Sequence, residues 1–178
     1  MIFCHASITT VDGYMTKREP HRRAHLERLM ALRSGGVVVG GGPSPDGTTA
    51  EIFYRGPSEA DVLRLVQEDP YNVGGVWASH RLAAFSHFLE PWELAPLVTD
   101  GSRVVMIVEG WLSDVDMAAL VLVEARGAGR LAFGGFFPDG RSLTVMRSAE
   151  PAEAVSWLAE TGFWKEESLA ARPLLHVL

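Results

Sequence analysis

Two stretches decide the fold of this 178-residue chain: HLERLMALRSGGVVVGGGPSPDG, from His25 to Gly47, and ALVLVEARGAGRLAFGGFFPDG, from Ala119 to Gly140. Each runs from an apolar-striped helix through a glycine stop into a short strand and a Pro-Asp-Gly turn. Setting His25 against Ala119, 94 positions later, pairs Leu26 with Leu120, Ala31 with Ala125, Gly35 with Gly129, Gly40 with Gly134 and Gly41 with Gly135. The identities are few, but the same order of elements surrounds both copies. The chain therefore reads as a tandem duplication.

Outward from the first copy, residues 2–9 are apolar and β-branched enough for a strand, and residues 18–34 carry a helical stripe. Strands follow at 37–41 and 50–55, then a helix at 60–67 capped by Ser58, and a strand at 76–85. Asp69-Pro70 ends that second helix, because a residue before proline is pushed out of helical conformation. Residues 88–102 hold Pro91, Pro96 and Asp100-Gly101-Ser102, the signature of a connector. The strand–helix–strand–strand–helix–strand order then returns. A four-stranded sheet with two helices on one face leaves its other face bare, and tandem copies can cover each other. The expected fold is α+β, two ferredoxin-like (βαββαβ) units fused as a pseudo-dimeric α+β barrel. Its expected domains are residues 1–90 and 103–178, joined by a linker at 91–102.

A formal net charge of −6, with 47% hydrophobic and 21% charged residues, describes an ordinary globular protein and argues against a nucleic-acid partner. The basic cluster Lys17-Arg18 with Arg22-Arg23 reads as a solvated helix start. Cys4, the single cysteine, has no internal disulfide partner and reads as a buried packing residue. No apolar run approaches 18 residues, and the amino-terminal MIFCHASITT lacks the basic start and apolar core of a signal peptide. A soluble cytoplasmic protein with a small-molecule partner and no membrane contact is expected, as a monomeric pseudo-dimer or a homo-oligomer of pseudo-dimers.

Two residues carry candidate chemistry. His25 falls inside an apolar stripe with Leu29 and Leu32, where an imidazole calls for a reason. Asp69 closes the second helix, where a carboxylate meets the negative end of the helix dipole and needs a partner. Paired, they would form a general acid–base dyad: the carboxylate fixes the imidazole tautomer, and the imidazole exchanges a proton near neutrality. The blander alternatives are a core histidine bonded to a carbonyl and a solvated Asp-Pro turn. No serine or cysteine has the context of a nucleophile. Gly40-Gly41-Gly42-Pro43 lies between two strands rather than before a helix, so it is not a nucleotide loop. His21 and His25 share a helix face, but no third ligand accompanies them; no metal and no cofactor are expected. His5, in phase with Phe3 and Ser7, is a packing residue or a cavity-lining one. At these places the second copy has Ala119, Gly162 and, for Gly42-Pro43, Phe136-Phe137.

The series Arg22-Arg23-Ala24-His25-Leu26, Gly41-Gly42-Pro43 and Asp69-Pro70-Tyr71 resembles the motifs of the YCII (YciI-like) family over residues 1–90. The resemblance implies ferredoxin-like units assembled as dimeric α+β barrels, with a His-Asp active site at His25 and Asp69. It also implies substrate contacts at Arg22, Gly42, Pro43 and Tyr71, with His5 a further candidate. Relatives include a dehydrochlorinase of a chlorinated hydroxyhydroquinone, and muconolactone isomerases share the architecture. The second half departs from the pattern and resembles a degenerate copy. The expected function is thus a cofactor-independent lyase or isomerase acting on a small cyclic or enolisable molecule. The alternative is a non-catalytic small-molecule binder or structural partner protein.

Overall fold

The computed structural model describes all residues, Met1–Leu178. The first βαββαβ unit consists of β1 (Ile2–Thr10), α1 (Tyr14–Lys17), α2 (Glu19–Ser34), β2 (Val38–Pro43), β3 (Thr49–Gly56), α3 (Glu59–Gln67), α4 (Pro70–Val73) and β4 (Trp77–Ala84). Next come β5 (His87–Leu89), β6 (Val104–Trp111), α5 (Val115–Gly127), β7 (Leu131–Phe136), β8 (Arg141–Met146), α6 (Pro151–Ala159) and β9 (Ala170–Leu175). The sheets are ordered β2-β3-β1-β4 and β5-β7-β8-β6-β9. Leaving β5 aside, both follow the ferredoxin-like order, and the chain is a pseudo-dimeric pair of such units. No helix is long and apolar enough to cross a membrane.

The helix expected at 18–34 is α2, and the short α1 precedes it. Gly13, with φ of 73°, leads into the short α1, and Pro20 sits in the first turn of α2, where its missing N–H costs nothing. Ser58 caps α3 by accepting from the Asp61 amide, and Asp114 does the same for α5 at Met117.

Strand alternation separates the two faces of the first sheet. Cys4, Ala6, Ile8, Ile52 and Tyr54 share a core with Leu29, Val62 and Val66 of the helices. His5, Glu51 and Phe53 occupy the other face.

The structure shifts the repeat register by one. Arg55 N–H donates to Val37 O, and Val37 N–H to Leu32 O; Arg147 donates to Arg130, and Arg130 to Ala125. In the hairpins, Gly41 opposes Ile52 as Gly134 opposes Thr144, and Gly42 opposes Glu51 as Gly135 opposes Leu143. The spacing in this stretch is 93, not 94, and both Pro-Asp-Gly turns fall into it. His25 therefore corresponds to Ala118, which is fully buried, rather than to Ala119. Gly42 corresponds to Gly135, and Pro43 alone is replaced by Phe136, which joins the second core. After α3 and α6, the Asp69 amide donates to Val66 O and the Thr161 amide to Leu158 O, so Asp69 corresponds to Thr161 rather than Gly162.

Each compact unit is discontinuous in sequence. The first comprises Met1–Ala84, Leu94–Gly101 and Leu175–Leu178; the second comprises Phe85–Glu93 and Ser102–Leu174. Two glycines in β2 explain how the last residues join the first unit. Gly41 has φ of 148°, and a Cβ there would meet Glu51 O at 2.3 Å. Its carbonyl accepts from the amides of Val177 and Leu178, both at 3.1 Å. A Cβ on Gly42 would lie 1.8 Å from Leu175 O. Leu178 is then buried in the first core.

Gly42→Val should expel this tail, removing two backbone hydrogen bonds and the burial of Leu178, at a cost of about 2–5 kcal/mol. Gly127→Ala, where a Cβ meets nothing within 4 Å, should be neutral or stabilising by up to about 1 kcal/mol. Denaturant midpoints compare the two; equal midpoints would contradict the clamp.

Candidate functional site

A cavity of about 440 Å³ opens in the first unit, walled by α1, α2, β2, the turn after it, Tyr71, Trp77, Thr99–Gly101 and the terminal residues. Tyr14, Arg18, Arg22, His25 and Leu29 all line it. From Arg18 onward they fall at steps of four, three and four, one face of a helix. This spacing delivers two guanidinium groups and an imidazole to one wall.

His25 Nδ1 lies 2.7 Å from Asp69 Oδ1, and the same oxygen accepts the Tyr71 amide at 2.8 Å. Asp69 is 1% exposed and His25 8%. The carboxylate does not suffer the end of α3 as expected; it caps the start of α4. An ionised carboxylate is an acceptor only, so Nδ1 carries the proton and Nε2 presents its lone pair. No protein group bonds Nε2, and His25 lines the cavity. The ring is held in place as well: Tyr71 stacks on it at 3.8 Å and 10°, and Trp77 meets it edge-on at 6.0 Å. Burial, then Tyr14 nearby, pushes the Tyr71 phenol above its ordinary range, so it remains a neutral hydroxyl. Tyr54, behind Asp69 in the core, is raised by burial and then by the Asp69 charge.

Six candidates line this one cavity or complete its dyad: His25, Arg22, Gly42, Pro43 and Tyr71 line it, and Asp69 stands behind His25. His5 does not. Its place in the strand alternation puts it on the other face of the sheet, where it pairs with Glu51 and stacks on Phe53 at 5.1 Å. Phase with Phe3 and Ser7 says which residues share a face, but not which face it is. His21 packs its ring against Gly74, where a Cβ would meet it at 2.5 Å. Of the basic cluster, Arg23 is exposed, whereas Arg18 and Arg22 are half-buried and line the cavity. Reading the cluster as solvated missed Arg18, although its spacing to His25 was available; Arg22 was singled out only through the family resemblance. Arg18 also sits over the Tyr14 ring at 5.1 Å, an arrangement worth about 0.5–2 kcal/mol. Trp77 and the Leu175–Leu178 wall were missed too; the tail gives no local signal.

The second unit keeps none of this. Ala118 replaces His25, Thr161 replaces Asp69, and Val115 and Trp111 stand where the register puts Arg22 and Arg18.

Solved structures share this architecture. A provisionally assigned monooxygenase from Fusobacterium nucleatum subsp. nucleatum matches at a TM-score of 0.59 and 6% identity, covering 99% of this chain and 92% of that chain. Another, from Lactobacillus acidophilus NCFM, matches at 0.58 and 14% identity, covering 99% and 94%. The likeness shows the fold: the chain is a pseudo-dimeric pair of ferredoxin-like units. A 5-chloro-2-hydroxyhydroquinone dehydrochlorinase from Burkholderia phenoliruptrix AC1100 matches at 0.43 and 23% identity, covering 49% of this chain and 95% of that chain. Neither a family model nor a curated relative matches. A shared fold does not fix a function, so the side chains in the cavity must carry any functional argument.

Two outcomes follow from this geometry. Nitrogen-15 NMR of the histidines should show His25 protonated at Nδ1 when neutral, and at Nε2 in Asp69→Asn, whose amide donates instead; an unchanged tautomer would remove the carboxylate's role. Cys4 is fully buried, and burial, helped by the charge of Glu59, pushes its thiol up to about 11. It should resist Ellman's reagent at pH 8 until the protein unfolds. Because the unfolded thiol ionises near its ordinary value of 9.0, its stabilising contribution is full below that pH and is lost as pH rises toward about 11.

Proposed function

We propose that the protein is a cofactor-independent lyase or isomerase, and that residues 1–90 form a YCII-like domain holding its active site. Residues 103–178 form a degenerate second copy. The observation that carries the reading is the buried His25–Asp69 hydrogen bond, with no protein group on the imidazole's other nitrogen and the ring lining the cavity. A carboxylate, an oriented imidazole and an accessible Nε2 are the parts of a general base. In the proposed cycle, Nε2 removes a proton from carbon next to a carbonyl or enol on a small cyclic substrate. Asp69 stabilises the imidazolium that forms. The electron pair moves onto oxygen, where Arg22 and the neutral Tyr71 hydroxyl are placed to stabilise it. The imidazolium then returns the proton to a different carbon, giving isomerisation, or the electron pair expels a leaving group, giving elimination.

Proton abstraction leaves an isotopic trace even without net turnover. Incubated in D₂O with a panel of enolisable lactones and halogenated cyclic enols, the wild-type protein should exchange the acidic hydrogen of at least one compound, read by mass spectrometry. His25→Ala should lose about 100-fold or more of that rate while keeping its thermal midpoint within a few degrees. Exchange at the wild-type rate in His25→Ala would refute the dyad.

A further inference from the structure

We infer that the ligand of this cavity is a planar, apolar organic anion, with its negative group bound at Arg22 and Arg18 and its ring on the cavity's apolar lining. The inference rests on the reading of the cavity as the reaction site and adds the chemical class of its substrate.

Charge comes first. Arg18 and Arg22 both line the cavity, and both act on the Tyr71 hydroxyl, the group stacked beside the His25 ring. Arg18 lies over the Tyr14 ring and within 3.6 Å of Glu19, but its buried Nε has no hydrogen-bond partner. Arg22, half-buried, makes no ion pair and no hydrogen bond, so its five donors remain unsatisfied by protein. A half-buried guanidinium without a carboxylate is what a bidentate anion would complete.

The acidic residues of the cavity do not cancel this. Asp46 Oδ1 is already taken by Ser44 Oγ at 2.6 Å, the Thr48 amide at 3.0 Å and Thr48 Oγ1 at 2.9 Å. It holds its own turn. Asp100 likewise has a partner of its own. Asp69 is sealed behind the imidazole.

Shape comes second. Away from the arginines the lining is Leu29, Ile52, Trp77, Leu175, Val177 and Leu178, a surface for a flat hydrocarbon ring. Placing an anion at Arg22 sets the ring of such a molecule beside His25, one helical turn along the same face.

Isothermal titration calorimetry on the full chain would use three probes of one ring system: 2-naphthoate, the neutral 2-naphthol and the cationic 2-naphthylmethylamine. Naphthoate should bind at least about tenfold more tightly than either of the others. Arg22→Met should weaken naphthoate by about tenfold or more, the size of one charge-assisted hydrogen-bond pair. Arg23→Met, at a side chain 91% exposed, should leave it unchanged. Thermal midpoints within a few degrees of wild type establish that both variants fold. Absence of naphthoate binding, equal affinity for the three probes, or unchanged affinity in Arg22→Met would each overturn the inference. The proton-transfer reading fails separately: naphthoate would bind in an Arg22-dependent way while D₂O exchange is indifferent to His25→Ala.

Discussion

One carboxylate oxygen organises the first unit of this protein. Asp69 Oδ1 accepts from the His25 ring and from the Tyr71 amide, tying α2 to the start of α4 from a position sealed from water. Buried acceptors demand donors, and this one uses two that lie 44 and 2 residues away in sequence. The constraint fixes a tautomer, lays Tyr71 over the imidazole and turns Nε2 toward the cavity. Removing the carboxylate would leave a buried histidine with no reason for either orientation.

The second copy shows what the same fold does without that constraint. Where α2 has a histidine, α5 has the fully buried Ala118, and where β2 ends in a proline beside the cavity, β7 ends in Phe136 inside the core. The backbone devices persist: Gly135, like Gly42, is a glycine because a neighbouring carbonyl occupies the place of its Cβ, here His87 O at 2.1 Å. Strand pairing was retained in both copies, and the polar constellation in one.

Much of the fold was legible because it depends on local chemistry. Helical stripes, glycine stops and two Pro-Asp-Gly turns set the order of elements. His25 could be singled out since an imidazole is out of place among leucines. The register was misread by one because Gly40-Gly41-Gly42 slides against Gly134-Gly135, and a glycine run cannot distinguish the two alignments. His5 was left between packing and lining a cavity because alternation gives relative faces only; the structure gives it the packing role. Arg18 looked like part of a solvated cluster until its spacing to Arg22 and His25 became part of a wall. The tail from Leu175 to Leu178 was invisible, as its partner Gly41 lies more than 130 positions away; nothing local predicts such a contact.

A crystal structure of the protein soaked with an enolisable cyclic carboxylate tests the central claim most directly. The account predicts density in the first-unit cavity, with the carboxylate on Arg22 and the acidic carbon about 3–3.5 Å from His25 Nε2. Ligand bound elsewhere, or seated in the cavity with Nε2 turned away from it, would contradict the account.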